Sequence, residues 1–189
     1  MSLGLRLRQS RVKAGLSGAQ LAVLGATSRS AIAEIEAQKR RISADKFQNL
    51  LLKTRSQFVI LPTAVTTPAE AAFDIAKLLA AGDERSAYRA VLSLSDGLRS
   101  LDPAIRIAVS VEEPVLTGST LYDAAIAGAV EEALFGLPKP GWLDQPARIT
   151  PEKELLTDSV IKFYPDDDEL AQGFLKHNVL LDVGSLESV

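Results

Sequence analysis

The stretch TSRSAIAEIEAQKRR, Thr27–Arg41, decides the fold of the first part of the chain. Small polar residues open it, apolar Ala31, Ile32 and Ile35 follow at helical spacing, and a basic run closes it. A serine before such a run is a preferred helix N-cap, because its side-chain oxygen accepts a hydrogen bond from a free backbone N–H. The stretch therefore predicts a helix that begins after Ser28, with one apolar face and a cationic exit.

Short helices of the same kind are predicted on both sides of this stretch. A first helix carries several arginines and ends near Gly15, and Ser17 and Ser43 are predicted N-caps of two further helices. The helix before Gly15 carries Leu3, Leu5, Leu7 and Val12, and the helix after Ser17 carries Leu21, Ala22 and Leu24. Phe47, Leu50 and Leu51 are expected to face inward from the helix after Ser43. The pattern predicts a small helical bundle over residues 1–56.

The composition favours a helical protein with a sizeable hydrophobic core. Hydrophobic residues make up 47% of the 189 residues while aromatic residues make up only 5%, which argues against disorder and against a β sandwich. The chain has no cysteine, so disulfides and thiolate metal sites are excluded and a reducing cytoplasm is expected. Neither an export signal nor a membrane span is predicted from the sequence.

Charge divides the chain into two parts. Residues 1–56 hold 11 basic and 3 acidic side chains, a net charge of +8, whereas residues 57–189 hold 10 and 21, a net charge of −11. This asymmetry predicts a basic module for a polyanion joined to an acidic module with another role.

Helix signals recur in the acidic part, after a linker predicted over residues 57–67 that includes the β-like run Phe58–Leu61. Thr67, Pro68 and Glu70 form a predicted capping box with proline at the first helical position. We expect the acidic helices to span Pro68–Ala81 with Gly82 as the C-cap, Glu84–Leu98, a segment after Asp102-Pro103, Ser119–Phe135, one from Pro151 and one from Asp168-Glu169. The apolar tail is expected to be extended.

Residues 5–53 resemble the Cro-type, or Xre, helix-turn-helix domain. The run RLRQSRVKAGLSGAQLAVLGATSRSAIAEIEAQKR carries the resemblance. The family pattern is matched by Gly15-Leu16-Ser17, Leu21-Ala22, Gly25-Ala26, Ser28-Arg29, Ile32, Ile35-Glu36 and Lys39-Arg40. The implied architecture is all-α, with a helix-turn-helix bundle over residues 1–56 and a second, acidic, mainly helical domain over residues 68–189.

The resemblance implies a sequence-specific DNA-binding repressor that acts as a homodimer. A recognition helix enters the major groove by its N-terminal end, where small side chains permit close approach to the bases. The residues expected to contact DNA are Ser17, Gln20, Thr27, Ser28, Arg29, Ser30, Ala33, Lys39, Arg40 and Arg41. Arg29 and Ser30 would reach base edges or phosphates, and the basic exit would meet the backbone.

The chain departs from the family pattern at three places. Gly18 stands where a phosphate-contacting glutamine is common, and the turn reads Gly25-Ala26 rather than Ala-Gly, so Ala26 must accept a conformation that glycine takes more easily. Glu34 stands where arginine is common, and its carboxylate would be repelled by DNA unless it accepts from a cytosine amine. Glu36 fits the family and is expected to have a structural role.

The acidic part predicts no enzyme, no metal site and no cofactor. His177 is the single histidine, which excludes a two-histidine zinc site and a Ser-His triad. The acidic run Pro165–Glu169 lacks the ligand spacing of a calcium loop and is interpreted as a helix N-terminus. Ala81-Gly82 ends a capped helix rather than lying in a β structure, which disfavours a self-cleaving repressor.

The whole layout resembles that of antitoxins that accompany nucleotidyltransferase-type toxins and repress their own operon. This implies that the C-terminal domain engages a cognate toxin through an apolar set in the tail: Phe174, Leu175, Val179, Leu180, Leu181 and Leu186. Two alternatives remain open at this point. The tail would instead pack on its own domain, or the chain would be an ordinary Cro-type regulator whose second domain dimerises or senses a ligand.

Overall fold

The structure is a computed structural model that describes residues 3–57, 60–61, 64–158, 164, 166 and 169–187. The chain divides into two compact units, Met1–Pro62 and Thr63–Val189, called here the N-terminal and the C-terminal unit. The described residues are mostly helical, consistent with the all-α prediction, and include one small parallel sheet of two strands in the C-terminal unit. Phe58, Val59 and Pro62 of the predicted linker lie outside the described residues.

The described part of the N-terminal unit contains four short helices where the sequence places them. They are α1 (Leu3–Lys13), α2 (Gly18–Leu24), α3 (Arg29–Glu36) and α4 (Ala44–Lys53). The predicted N-caps are confirmed, because the side chains of Ser17, Ser28 and Ser43 each accept a hydrogen bond from the backbone N–H three residues on. Local capping chemistry therefore fixes where three of the four helices begin.

The core of the N-terminal unit is made by one face of each helix. Its buried residues are Leu7, Leu21, Ala22, Ile32, Ile35, Phe47, Leu50 and Leu51. Leu3, Leu5 and Val12 of α1 and Leu24 of α2 are exposed. Helix α1 packs on α3 through Gly4, where an added Cβ would lie 2.1 Å from the carbonyl oxygen of Ile35, and Gly4 and Leu7 are its buried residues.

The turn between α2 and α3 explains the order Gly25-Ala26. Ala26 has a φ of 47°, in the left-handed region that disfavours a side chain. Gly25 is held by packing, since a Cβ there would lie 2.2 Å from Cδ2 of Leu50. Close packing therefore requires glycine at position 25. Alanine at position 26 has the unfavourable positive φ that the sequence predicts.

Replacing Ala26 with glycine is expected to stabilise the N-terminal unit by about 0.5–1 kcal/mol, because glycine adopts a positive φ without the Cβ clash. Hydrogen exchange of the α2–α4 amides measures the unfolding of this unit by itself. The control is Ala19→Gly in α2, where the exposed alanine is helical and glycine should destabilise by a similar amount. Equal destabilisation by both substitutions would contradict the strain at Ala26.

The C-terminal unit is built around one buried helix. Its long helices are α5 (Pro68–Ala80), α6 (Glu84–Ser100), α7 (Pro103–Ser110) and α8 (Thr120–Ala133). The predicted capping box of Thr67 and Glu70 is confirmed, and Gly82 follows α5 with a φ of 74°. Nearly every residue of α8 is buried, and α5, α6 and the C-terminal segment pack around it.

The segment after Pro151 is not helical, and this part of the sequence-based prediction is wrong. It forms strand β1 (Glu154–Leu155), which pairs in parallel with β2 (Val179–Leu180). Thr150 and Glu154 donate their backbone N–H groups to the carbonyl oxygens of His177 and Asn178, at 3.2 and 2.8 Å. Hydrogen bonds to a distant strand therefore replace the local ones that a helix after Pro151 would need.

The C-terminal tail also differs from the extended form expected. Two short helices, α9 (Gln172–Leu175) and α10 (Val183–Glu187), flank β2. The last helix was predicted from Asp168-Glu169; Asp168 lies outside the described residues, and the helix begins at Gln172. The reason is a long-range bond, since the backbone N–H of Gly173 donates to Oε2 of Glu132 on α8 at 2.6 Å.

Arg148 is the largest charged side chain in the core of the C-terminal unit, with 1% of its surface exposed. It donates to the carbonyl oxygen of Pro114, lies 3.8 Å from a carboxylate oxygen of buried Asp123, and stacks 5.3 Å from the ring centroid of Trp142. Burial lowers the pKa of Arg148 against the opposing charge of Asp123. The core thus contains a charge whose partner lies on α8.

Candidate nucleic-acid interface

The outward face of α3 is exposed and polar at its start. Arg29, Ser30 and Ala33 are exposed, whereas Ile32 and Ile35 on the opposite side are 1% and 3% exposed. This is the division between solvent and core that the spacing of the apolar residues predicts. The helix therefore presents an arginine and two small residues to any ligand that approaches its N-terminal half.

The N-cap of α3 arranges its first turn. The hydroxyl of Ser28 accepts from the backbone N–H of Ala31 at 3.1 Å and lies 2.9 Å from the hydroxyl of Ser30. Thr27 is half-buried, and its backbone N–H donates to the carbonyl of Ala22. The guanidinium of Arg29 has no protein partner among the described residues, and it extends into solvent.

Ser17 and Gln20 form a second exposed element at the start of α2. The backbone N–H of Ser17 donates to Oε1 of Gln20 at 2.8 Å, and the backbone N–H of Gln20 donates to the hydroxyl of Ser17 at 3.2 Å. This capping box holds the carboxamide oxygen of Gln20 toward the protein. Its amide nitrogen is therefore the end that remains for a phosphate oxygen.

The exit from α3 turns sharply and exposes three cations. Gln38 has a φ of 61°, and the backbone N–H groups of Gln38 and Lys39 donate to the carbonyls of Ile35 and Glu34 at 3.0 and 2.8 Å. This is a Schellman motif with glutamine in place of the usual glycine. Lys39, Arg40 and Arg41 follow it, and all three are exposed.

Arg11 and Glu36 fix the position of α3 relative to α1. Nε and Nη2 of Arg11 donate to the two carboxylate oxygens of Glu36 at 2.6 and 2.8 Å, and Nη1 donates to the carbonyl of Leu16 at 2.8 Å. The hydrogen bond to Glu36 raises the pKa of Arg11. The structural role expected of Glu36 is therefore observed, while Arg11, counted among the basic residues of α1, is held by this pair.

Glu34 places a negative charge on the same face. Its carboxylate lies 3.6 Å from Nη1 of Arg40, and both side chains are half-exposed. An exposed ion pair of this kind contributes little to stability and exchanges readily with solvent. Arg40 therefore remains available to a phosphate, and the face combines cations with one acceptor.

These side chains all lie on the N-terminal unit. No family model, curated protein or solved structure matches this chain. The features of this unit that fit a polyanion are the exposed α3 face and the cations Lys39, Arg40 and Arg41 that follow it.

The predicted partner-binding residues of the tail are packed inside the C-terminal unit. Phe174, Val179, Leu181 and Leu186 are at most 4% exposed, and Leu175 and Leu180 are half-buried. Of the two interpretations left open by the sequence, the structure shows the tail packed on its own domain. The predicted apolar docking set is corrected accordingly, because these side chains fill the space beside α8 rather than facing solvent.

Close backbone contact between α8 and α9 explains this packing. A Cβ added to Gly128 would lie 2.8 Å from Cα of Phe174, and one added to Gly173 would lie 2.4 Å from the backbone nitrogen of Glu132. Two glycines therefore bring the helices together, and the ring of Phe174 fills the interface. The spacing of these glycines, 45 residues apart in sequence, gave no signal of the contact.

Charged groups close the same interface. Glu131 on α8, 7% exposed, accepts from Nζ of Lys139 at 2.5 Å and from Nζ of Lys176 beside α9. Burial acts to raise the pKa of Glu131, but the two lysines prevail and the pKa lies below its ordinary value. Next to Lys176, buried His177 has Nδ1 2.8 Å from the carbonyl oxygen of Arg148, which requires the proton on Nδ1.

The C-terminal unit is expected to lose stability as the pH falls below about 6.5, the ordinary pKa of histidine. Burial lowers the pKa of His177, outweighing its hydrogen bond to the Arg148 carbonyl and the charge of Glu131. At a pH just below 6.5, His177 therefore binds a proton in the unfolded chain but stays neutral in the folded unit. Glu131 adds a separate loss only at lower pH, below the ordinary carboxyl pKa.

Urea denaturation followed by the fluorescence of Trp142, the single tryptophan, measures this dependence. His177→Asn keeps an amide nitrogen near the position of Nδ1 without a titrating group. It should flatten the stability profile between about pH 5 and 7. The same slope in the parent chain and in His177→Asn would assign the effect to other groups.

Among the described residues, no cluster of three or more His, Asp or Glu side chains is arranged to hold a metal ion. No helix in the described part of the chain is long and apolar enough to cross a membrane. Pro165, Asp167 and Asp168 of the acidic run lie outside the described residues.

Proposed function

We propose that the chain is a sequence-specific DNA-binding transcriptional repressor that uses its N-terminal unit as a Cro-type helix-turn-helix domain. The observation that carries the proposal is the exposed face of α3, where Arg29 and Ser30 precede the cationic exit Lys39–Arg41. The residue pattern of the Cro-type family supports the same interpretation.

The physical match is to the major groove of duplex DNA. The groove is about 12 Å wide and admits one α-helix. Ser30 and Ala33 are small enough for close approach, and Arg29 reaches the bidentate acceptors of guanine or a phosphate. Gln20 and the basic exit lie on either side of α3 in the sequence and would contact phosphates, which position the helix without reading sequence. Glu34 would accept from a cytosine amine.

Pairing of two chains completes the proposed binding mode. One recognition helix reads only a few base pairs, and Cro-type modules gain affinity by binding two half-sites about one helical turn apart. The chain would therefore act as a homodimer on a roughly palindromic operator. Light scattering with and without operator DNA tests this, and a monomer under both conditions would contradict it.

Replacing Arg29 with alanine is expected to weaken binding to the chain's own promoter by about 1–3 kcal/mol, if Arg29 contacts a base edge. The variant lacks the two hydrogen bonds that the Arg29 guanidinium would donate to one base. The ratio of its affinities for the promoter duplex and for other duplexes should therefore fall as well. Gel shifts or fluorescence anisotropy on promoter duplexes measure both quantities.

The matched control is Arg89→Ala, which removes the same charge from an exposed position in α6 of the C-terminal unit. It should leave DNA binding unchanged. Identical affinities for the parent, the Arg29→Ala variant and the control would remove Arg29 from the interface.

The C-terminal unit is proposed to engage a cognate toxin, which makes the chain an antitoxin that represses its own operon. Its net charge of −11 repels DNA and favours a cationic protein surface. Because the tail is buried, the partner would contact another surface of the unit. Co-purification with the product of the adjacent gene tests this proposal. Failure to retain that product would favour an ordinary Cro-type regulator whose second unit dimerises or senses a ligand.

A further inference from the structure

A groove of about 650 Å³ runs along strand β1 in the C-terminal unit. Leu155 and its neighbours in β1 form one side, the C-terminal half of α5 forms another, and the loop Thr117–Ser119 with the first turn of α8 closes it. This groove is separate from the buried tail and from the α3 face. It belongs entirely to one unit.

The outer edge of β1 faces this groove. The backbone N–H groups of Glu154 and Leu156 donate to the carbonyls of Asn178 and Leu180 at 2.8 and 3.0 Å. The hydrogen-bonding groups of Glu154 and Leu156 therefore point toward β2. Since successive backbone groups of a strand point to opposite sides, the N–H and C=O of Leu155 point away from β2. Neither group has a hydrogen-bond partner among the described residues. An edge of this kind accepts an additional strand.

The mouth of the groove is negatively charged. Exposed Glu84 lines it on the α6 side and half-buried Glu154 on the β1 side. The hydroxyl of Tyr122, also in the lining, donates to the carbonyl of Glu84 at 3.1 Å. Burial, followed by the charges of Glu84 and Asp158, raises the pKa of Tyr122 to about 12. Apolar Ala76 and Leu79 of α5 lie in the same lining.

We propose that this groove binds an extended, cationic segment of a partner protein, which adds a strand to β1 and places basic side chains against Glu84 and Glu154. The backbone of Leu155 supplies one donor and one acceptor for the added strand. Alternate side chains of the segment would contact the apolar wall of α5, since they point to opposite faces. The assignment rests on the proposed partner-binding role of the C-terminal unit and names its surface and the chemistry of its ligand.

The test uses the full chain and a fluorescent hexapeptide of alternating lysine and valine as the probe. Leu155→Pro removes the outward N–H without breaking a bond to β2, whereas Leu155→Ala removes the same side chain and keeps the N–H. Affinity should fall by about tenfold in Leu155→Pro and by much less in Leu155→Ala. The same peptide with alternate backbone nitrogens methylated should not bind the parent chain, and this arm needs no protein variant.

Charge is tested with a matched pair of double variants. Glu84→Gln with Glu154→Gln should weaken peptide binding about fivefold at low salt. Asp74→Asn with Asp144→Asn removes the same charge from exposed positions that do not line the groove, and binding should not change.

Three results would overturn the proposal. They are equal losses in the two charge variants, equal losses in Leu155→Pro and Leu155→Ala, and equal binding of the methylated and unmethylated peptides. The outcome is separable from the proposed function, because the adjacent gene product can be retained through another surface while the peptide fails to bind. Promoter binding by the N-terminal unit is measured independently of both.

Discussion

Replacing Arg148 with alanine is expected to lower the free energy of unfolding of the C-terminal unit by about 3–5 kcal/mol. The substitution leaves the carboxylate of Asp123 buried without the positive charge 3.8 Å away, and its hydrogen bond from the backbone N–H of Thr117 at 2.7 Å is unchanged. It also frees the carbonyl of Pro114 and the face of Trp142. A buried charge without its counter-charge costs more than the pair itself contributes. Urea denaturation followed by Trp142 fluorescence reports this unit.

The double variant Arg148→Met with Asp123→Asn separates the cost of the unpaired Asp123 charge from the cost of the lost side-chain packing. It removes both charges and keeps most of the buried volume, so it should recover much of the stability lost in Arg148→Ala. A loss of less than about 1 kcal/mol in Arg148→Ala would mean that the buried charge is compensated in another way.

Replacing Lys39, Arg40 and Arg41 together with alanine is expected to weaken promoter binding on the order of a hundredfold. A cation that neutralises one phosphate contributes about 0.9 to the slope of log affinity against log salt, so the slope should fall by about 2–3 for each bound unit. Unlike Arg29→Ala, this variant should weaken binding to all duplexes alike, because phosphates carry no sequence information.

Lys77→Ala with Arg85→Ala and Arg89→Ala is the matched control for the cationic exit. These three side chains are exposed in the C-terminal unit, and their removal changes the net charge of the chain by the same amount. The control should keep the parent's salt slope. Equal effects of the two triple variants would show that net charge, rather than contact by the exit of α3, governs binding.

Local chemistry made much of the fold predictable from the sequence. Ser17, Ser28, Ser43 and Thr67 cap helices where expected, because a cap depends on residues at most three positions away. The strain at Ala26 was predictable for the same reason. These signals place helix starts but do not say how the helices pack.

Long-range contacts explain what the sequence did not predict in the C-terminal unit. The segment after Pro151 has a good helix start, yet its backbone N–H groups bond to Asn178 and Leu180 across the sheet. The sequence left open whether the tail binds a partner or packs on its own domain, and Gly173 and Lys176 bond to Glu132 and Glu131 on α8. A single sequence carries no signal for pairs so far apart.

Only part of the candidate DNA-contacting face could be predicted from the sequence. Spacing of the apolar residues indicated which side of α3 faces the core, and the exposed positions of Arg29 and Ser30 followed from it. The ion pair between Arg11 and Glu36, 25 residues apart, was not predicted from the sequence. A count of basic residues does not show which of them already pair with a carboxylate. The left-handed Gln38 was also missed, since glycine is the usual signal for such a turn.

The most direct test of DNA recognition compares two duplexes in one titration series. Fluorescence anisotropy of the full chain is measured on a duplex from its own promoter and on a shuffled duplex of the same composition, over a range of salt concentrations. A sequence-specific repressor should bind the promoter duplex at least about a thousandfold more tightly, with both affinities falling as salt rises. Equal affinity for the two duplexes, or no binding to either at low salt, would contradict the proposed function.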